Sequence, residues 1–141
     1  MEKTYYFAAF VPEPEGGYFI LIPDVPDAFT EANSLAEGME MAEDVLKLLL
    51  RGLIAAGRQA PSPSPIERVK ALTAAHLREI GHETAGEILY QLLPSPNLDM
   101  APVRVSISLP KAVLEEIDAK ADAGGFTRSG FLAKAAREYQ L

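Results

Sequence analysis

The segment Val103-Arg104-Val105-Ser106-Ile107-Ser108-Leu109 alternates apolar and polar side chains, the period-two signature of a strand with one face to bury. No second strand-forming run lies between it and residue 141. Pro110 opens a helix expected to reach about Ala123, with Val113, Leu114, Ile117 and Ala121 along one face. Gly124-Gly125 break it, and Thr127 is placed to cap a final helix carrying Phe131, Leu132, Ala135, Ala136 and Tyr139. A lone strand leaves its backbone donors and acceptors unpaired. A unit of about 40 residues is also too small to bury a sufficient core by itself. Both shortages vanish if two copies pair their strands antiparallel across a two-fold axis and interlock four helices. Val105, Ile107 and Leu109 then enter a shared core, while Arg104, Ser106 and Ser108 project from a two-stranded ribbon. Such a ribbon fits the major groove of B-DNA, where Arg and Ser side chains read base edges.

Net charge tests that expectation. The chain carries −7 overall, which taken alone argues against a phosphate partner. The charge is unevenly spread. Residues 1–100 hold 7 Lys and Arg against 15 Asp and Glu, whereas residues 101–141 hold 6 against 5. The two parts therefore call for different partners, acidic surface in one and a near-neutral module in the other. Within the tail, Asp118 and Asp122 can lie on the side away from DNA.

The N-terminal part reads as a small sheet with a helix. Thr4–Val11 and Tyr18–Pro23 are strand-forming runs joined by the turn residues 12–17, an antiparallel hairpin. Ala28-Phe29-Thr30 offers a short third strand after the 24–27 turn. Ser34 and Glu37 form a reciprocal capping box, and Leu35, Met39, Ala42, Leu46, Leu49 and Leu53 follow helical spacing over roughly 35–56, ended by Gly57. The proline-rich stretch 60–65 is a stiff connector. Ser64-Pro65-Ile66-Glu67 has the form of a second capping box, opening a helix over about 65–80 with Ile66, Val69, Leu72, Leu77 and Ile80, which Gly81 stops. Glu87–Leu93 suits a last strand joining the sheet or a short helix, with the strand favoured by the prolines that follow. Residues 94–102 have the composition of an interdomain linker. The expected fold class is α+β, divided as 1–93, linker 94–102 and 103–141.

The run RVSISLP…LEEIDA…GGFTRSGFLAKAARE resembles a ribbon–helix–helix DNA-binding domain throughout residues 103–139. Carried over by position, the resemblance places Arg104, Ser106 and Ser108 at the base-contacting sites. It places Thr127, Arg128 and Ser129 at the start of the second helix, which anchors a phosphate on its backbone N–H groups, in keeping with the anion affinity of helix N-termini. The N-terminal part is similar to the HicB antitoxin family in Tyr18 after the Gly-Gly loop, the Pro23-Asp24-Val25-Pro26 turn, Phe29-Thr30 and the Ser34-Leu35 helix start. In that family this domain is a partial RNase H-like fold. The helical stretch 65–80 is longer than the family pattern.

The resemblance implies an antitoxin that blocks a HicA-type toxin, a small basic mRNA-cleaving ribonuclease, and represses its own operon by binding operator DNA as a homodimer or homotetramer. An acidic N-terminal part complements such a toxin and steers association. The candidate contacts are Glu13 and Glu15 in the hairpin loop, Asp24 and Asp27 in the turn, and Glu37, Glu40, Glu43 and Asp44 on the helix. A stand-alone regulator whose N-terminal domain senses a ligand or oligomerises is the alternative.

Catalysis is not expected. The first strand Tyr5–Phe10 has no acid for an RNase H-type metal site. His76 and His82 are not a helical i,i+4 pair and have no evident third ligand. There is no cysteine, hence no disulfide, thiolate site or cysteine nucleophile. No cofactor or metal is implied. No apolar run approaches the ~18 residues of a bilayer span, and Met1–Tyr6, carrying Glu2 and Lys3, does not have the form of a signal peptide. A cytoplasmic location without a membrane partner is the expectation.

Overall fold

A computed structural model describes residues 3–141; Met1 and Glu2, on which the leader argument partly rests, lie outside the described residues. The chain divides into two compact units, residues 1–100 and 101–141.

The first unit is an antiparallel sheet with a helix on each face. Its strands are β1 (Tyr5–Pro12), β2 (Tyr18–Leu21), β3 (Phe29–Ala32) and β4 (Leu89–Pro94), in the order β3-β2-β1-β4. The hairpin expected from the 12–17 turn forms, with Ala9 opposite Leu21 and Pro12 opposite Tyr18. The third strand lies slightly later than Ala28–Thr30. Residues 89–94 adopt the strand option, pairing along β1 from Tyr5↔Pro94 to Phe10↔Leu89.

Strand alternation decides what each helix covers. Tyr6, Ala8, Phe10, Ile20, Ile22 and Leu93 turn towards α1 (Leu35–Ala55), whose Ala42, Leu46 and Leu50 are fully buried in the same cluster. Burying one such leucine contributes roughly 1.5–3 kcal/mol. Gly38 is required where α1 meets the sheet, since a Cβ there would lie 2.7 Å from the Phe10 ring and 2.9 Å from Ile20 Cδ1. The stripe is rotated slightly from the expected one. Leu50 takes the central place, while Leu35 is exposed. The other sheet face, with Ala9, Val11, Phe19 and Leu21, packs against Leu77 of α2 (Ile66–Ile80).

Ser34 caps α1 as expected, its hydroxyl accepting the Glu37 N–H at 3.2 Å. The second capping box does not form. Pro65 is the N-cap of α2 and makes no side-chain cap bond. Ser64 is instead drawn to the 24–27 turn, donating its N–H to Asp24 Oδ2 at 2.7 Å and its hydroxyl to Asp24 Oδ1 at 2.6 Å. A charged acceptor makes those two bonds stronger than a neutral cap bond. The proline-rich connector is pinned a second time, the buried Tyr6 hydroxyl donating to the Pro61 carbonyl at 2.6 Å. Much of the stretch expected as a linker also belongs to this unit. Ser95 N–H bonds to Thr4 O at 2.7 Å, Arg51 donates to Asn97 O, and Leu98 packs against the core.

The second unit contains α3 (Lys111–Gly124) and α4 (Arg128–Glu138). Gly125 in the left-handed region, φ 74°, ends α3, and the Thr127 hydroxyl caps α4 by accepting the Gly130 N–H at 3.0 Å. Residues 101–110 carry no helix and no paired strand.

Candidate nucleic-acid and protein interfaces

The tail segment has an apolar face with nothing to cover it. Val103, Val105 and Ile107 are 81%, 75% and 66% exposed, and Leu109 38%. They border an open groove of about 1050 Å³ that Leu114 of α3 and Leu132 of α4 also line. Among the described residues of this unit, Ala121 is the buried apolar side chain. Exposed apolar patches of this kind mark interaction surfaces.

The polar residues expected at a DNA surface share that neighbourhood. Arg104, Ser106 and Ser108 are exposed along the groove, and Arg128 and Ser129 line it from the start of α4. Thr127 is occupied as the cap. Arg128 is occupied as well. Its Nε donates to Asp118 Oδ1 at 2.9 Å and its Nη2 to Asp118 Oδ2 at 2.8 Å. The hydrogen bond from Arg128 holds the Asp118 carboxyl below the usual carboxylate range, and the same bond raises the guanidinium. Sequence reading did not connect these two residues. The available signal was a pair of opposite charges flanking the Gly124-Gly125 turn.

In the first unit the eight candidate carboxylates fall into two groups. Two are engaged inside the unit. Asp24 binds Ser64 through both oxygens, and Glu13 Oε1 lies 3.2 Å from His82 Nε2, with the His82 ring stacked on Phe19 at 5.0 Å. Glu15, Asp27, Glu37, Glu40, Glu43 and Asp44 are exposed. Asp27 has φ 62°, a conformation that Asp tolerates better than most residues. The outer side of α1 presents Met41 and Leu48 to solvent among these acids, a mixed surface of the kind that partners cover. His76 lines two small clefts of about 220 and 160 Å³ between α2 and the Leu21–Phe29 region.

Among the described residues no cluster of three or more His, Asp or Glu is arranged to hold a metal ion, and no helix is long and apolar enough to cross a membrane.

Known proteins resemble this chain in sequence and in fold. The chain is 31% identical over 84 residues to Antitoxin HicB of Escherichia coli (strain K12), covering 60% of this chain and 57% of that protein. It is 36% identical over 55 residues to Antitoxin HicB 1 of Photorhabdus laumondii subsp. laumondii, 39% of this chain and 36% of that one. The chain thus spans about half or less of the length of these curated relatives. A solved Toxin-Antitoxin complex from Streptococcus pneumoniae contains a chain of the same fold, with a TM-score of 0.57 at 16% identity over 99% of this chain and 100% of that one. The profile of the family described as HicB_like antitoxin of bacterial toxin-antitoxin system matches residues 6–136, across both units. With a match of that extent, the chain belongs to the HicB-like antitoxin family.

Proposed function

We propose that this protein neutralises a HicA-type toxin through its acidic first unit and represses its own operon through residues 103–141. The toxin is a small basic mRNA-cleaving ribonuclease, which the exposed acids on α1 and around the hairpin attract and steer. The first unit acts as a partial RNase H-like scaffold for this contact and not as a nuclease. Both activities are exercised in the cytoplasm.

The observation that carries the DNA reading is the uncovered, unpaired segment 103–109 beside an apolar groove. A second copy supplies what it needs. Antiparallel pairing of the two segments satisfies their backbone groups and seals Val105, Ile107 and Leu109 against the helices of both copies. Arg104, Ser106 and Ser108 then stand on the open face of a ribbon–helix–helix dimer, placed for base edges. If the first units also associate, the assembly is a tetramer spanning two operator half-sites.

Fluorescence anisotropy with DNA from upstream of the protein's own gene tests this reading. Tight, salt-dependent binding by the full chain and none by residues 1–100 is expected. Arg104→Ala costs roughly 1–3 kcal/mol of DNA affinity for a lost bidentate contact and leaves the dimer and toxin binding intact. A variant that falls apart into monomers would show Arg104 to be structural. Failure of the full chain both to retain a HicA-type toxin and to bind this DNA would overturn the proposal.

A further inference from the structure

The Arg128–Asp118 fork joins the first residue of α4 to the body of α3. A planar guanidinium matches a carboxylate edge to edge, so the pair fixes direction as well as distance. Ala121 is the buried apolar side chain among the described residues of the unit. The turn between the helices runs through Gly125 at φ 74°, a residue that imposes little backbone preference of its own. Beyond the fork, the Phe126 N–H reaches the Ala121 carbonyl at 2.8 Å and Thr127 caps α4.

We propose that Arg128 serves DNA binding as a positioning residue, acting through Asp118, rather than as a phosphate ligand. The fork sets the angle at which the first turn of α4 leaves α3, and so where that turn's N–H groups, which have no intrahelical partner, point. An Arg128 that turned to a phosphate would leave the Asp118 carboxylate facing the same phosphate, a repulsion that offsets the gain. This inference rests on the DNA-binding reading above and corrects one residue role within it.

The test is DNA-binding anisotropy of the full chain at several salt concentrations, using duplex DNA from upstream of its own gene. Circular dichroism and sedimentation check each variant for helix content and assembly. Asp118→Asn removes a negative charge from the DNA-binding unit, so charge alone requires equal or tighter binding. Positioning requires weaker binding, by about fivefold for loss of one well-formed pair, with the salt slope unchanged because no phosphate contact is lost. Arg128→Ala breaks the same pair from the other side and is expected to weaken binding to a similar extent, again with the salt slope unchanged. Equal or tighter binding by Asp118→Asn overturns the proposal. So does an Arg128→Ala variant that keeps its helix content but binds with a slope reduced by about one contact. Absence of binding by the unaltered chain overturns the DNA reading and this inference with it, an outcome distinct from the other two.

Discussion

Residues 1–100 and residues 101–141 use the same kinds of local signal, and end with very different interiors. The first unit brings side chains from both faces of one sheet to near-zero exposure, because a helix covers each face. The second forms two helices, α3 stopped by Gly125 and α4 capped by Thr127, yet leaves Val103, Val105 and Ile107 mostly in water. Caps, turns and amphipathic spacing are satisfied within a few residues of chain. A core is not, since it needs enough chain to enclose a volume. The first unit therefore closes its core within one copy, and the second, on the function proposed above, is finished by another.

That contrast is open to direct attack. The largest effect is expected from Ile107→Asp, which puts a charge where the paired segments would seal. Each copy loses roughly 1.5–3 kcal/mol of apolar burial, and the charge adds a desolvation cost. Sedimentation equilibrium of the full chain should show dimers giving way to monomers, with the first unit still folded by circular dichroism. An unchanged dimer would mean that the copies meet elsewhere.

Leu46→Ala strikes the complete core. A cost of about 2–5 kcal/mol is expected in the unfolding of the first unit, read as a lower thermal midpoint that does not depend on protein concentration. A concentration-dependent midpoint for that transition would break the comparison, because it would show the first unit to be unfinished as well.

The smallest effect sharpens how the first unit is closed. Tyr6→Phe removes the bond to the Pro61 carbonyl, at a cost of about 1 kcal/mol. Burial, and secondarily the Asp24 carboxylate, raise the Tyr6 hydroxyl above its ordinary value. The folded state thus holds this proton more tightly than the unfolded chain does. Its contribution is fully present below the unfolded value of about 10 and is lost as pH rises from there through the folded value. Alkaline melts of the unaltered chain should show that decline, and Tyr6→Phe should flatten it. Identical slopes would remove Tyr6 from the account.

Particular elements show where reading the sequence stopped. The hairpin, α1 with its Ser34 cap, the Gly81 and Gly125 helix stops and the Thr127 cap were legible because each depends on neighbours in the chain. The β4 strand was legible only as a choice, since a short apolar run suits either state until a partner edge is known. The Ser64 capping box failed for the complementary reason. Its pattern was present, but a carboxylate distant in sequence, Asp24, took the Ser64 N–H that Glu67 would have accepted and turned the Ser64 hydroxyl towards itself.

The candidate sites divide in the same way. Sequence alone determined the charge contrast between the two parts, the alternation of 103–109 and the capped start of α4, because composition, period and capping are local properties. Only the tertiary structure decided that α2 covers the second face of the sheet, that Glu13 and Asp24 spend their carboxylates inside the first unit, and that Arg128 is held by Asp118. Each of those contacts joins residues from different elements, and which charged group reaches which partner is set by how the elements meet in space, a property that no short window of sequence contains.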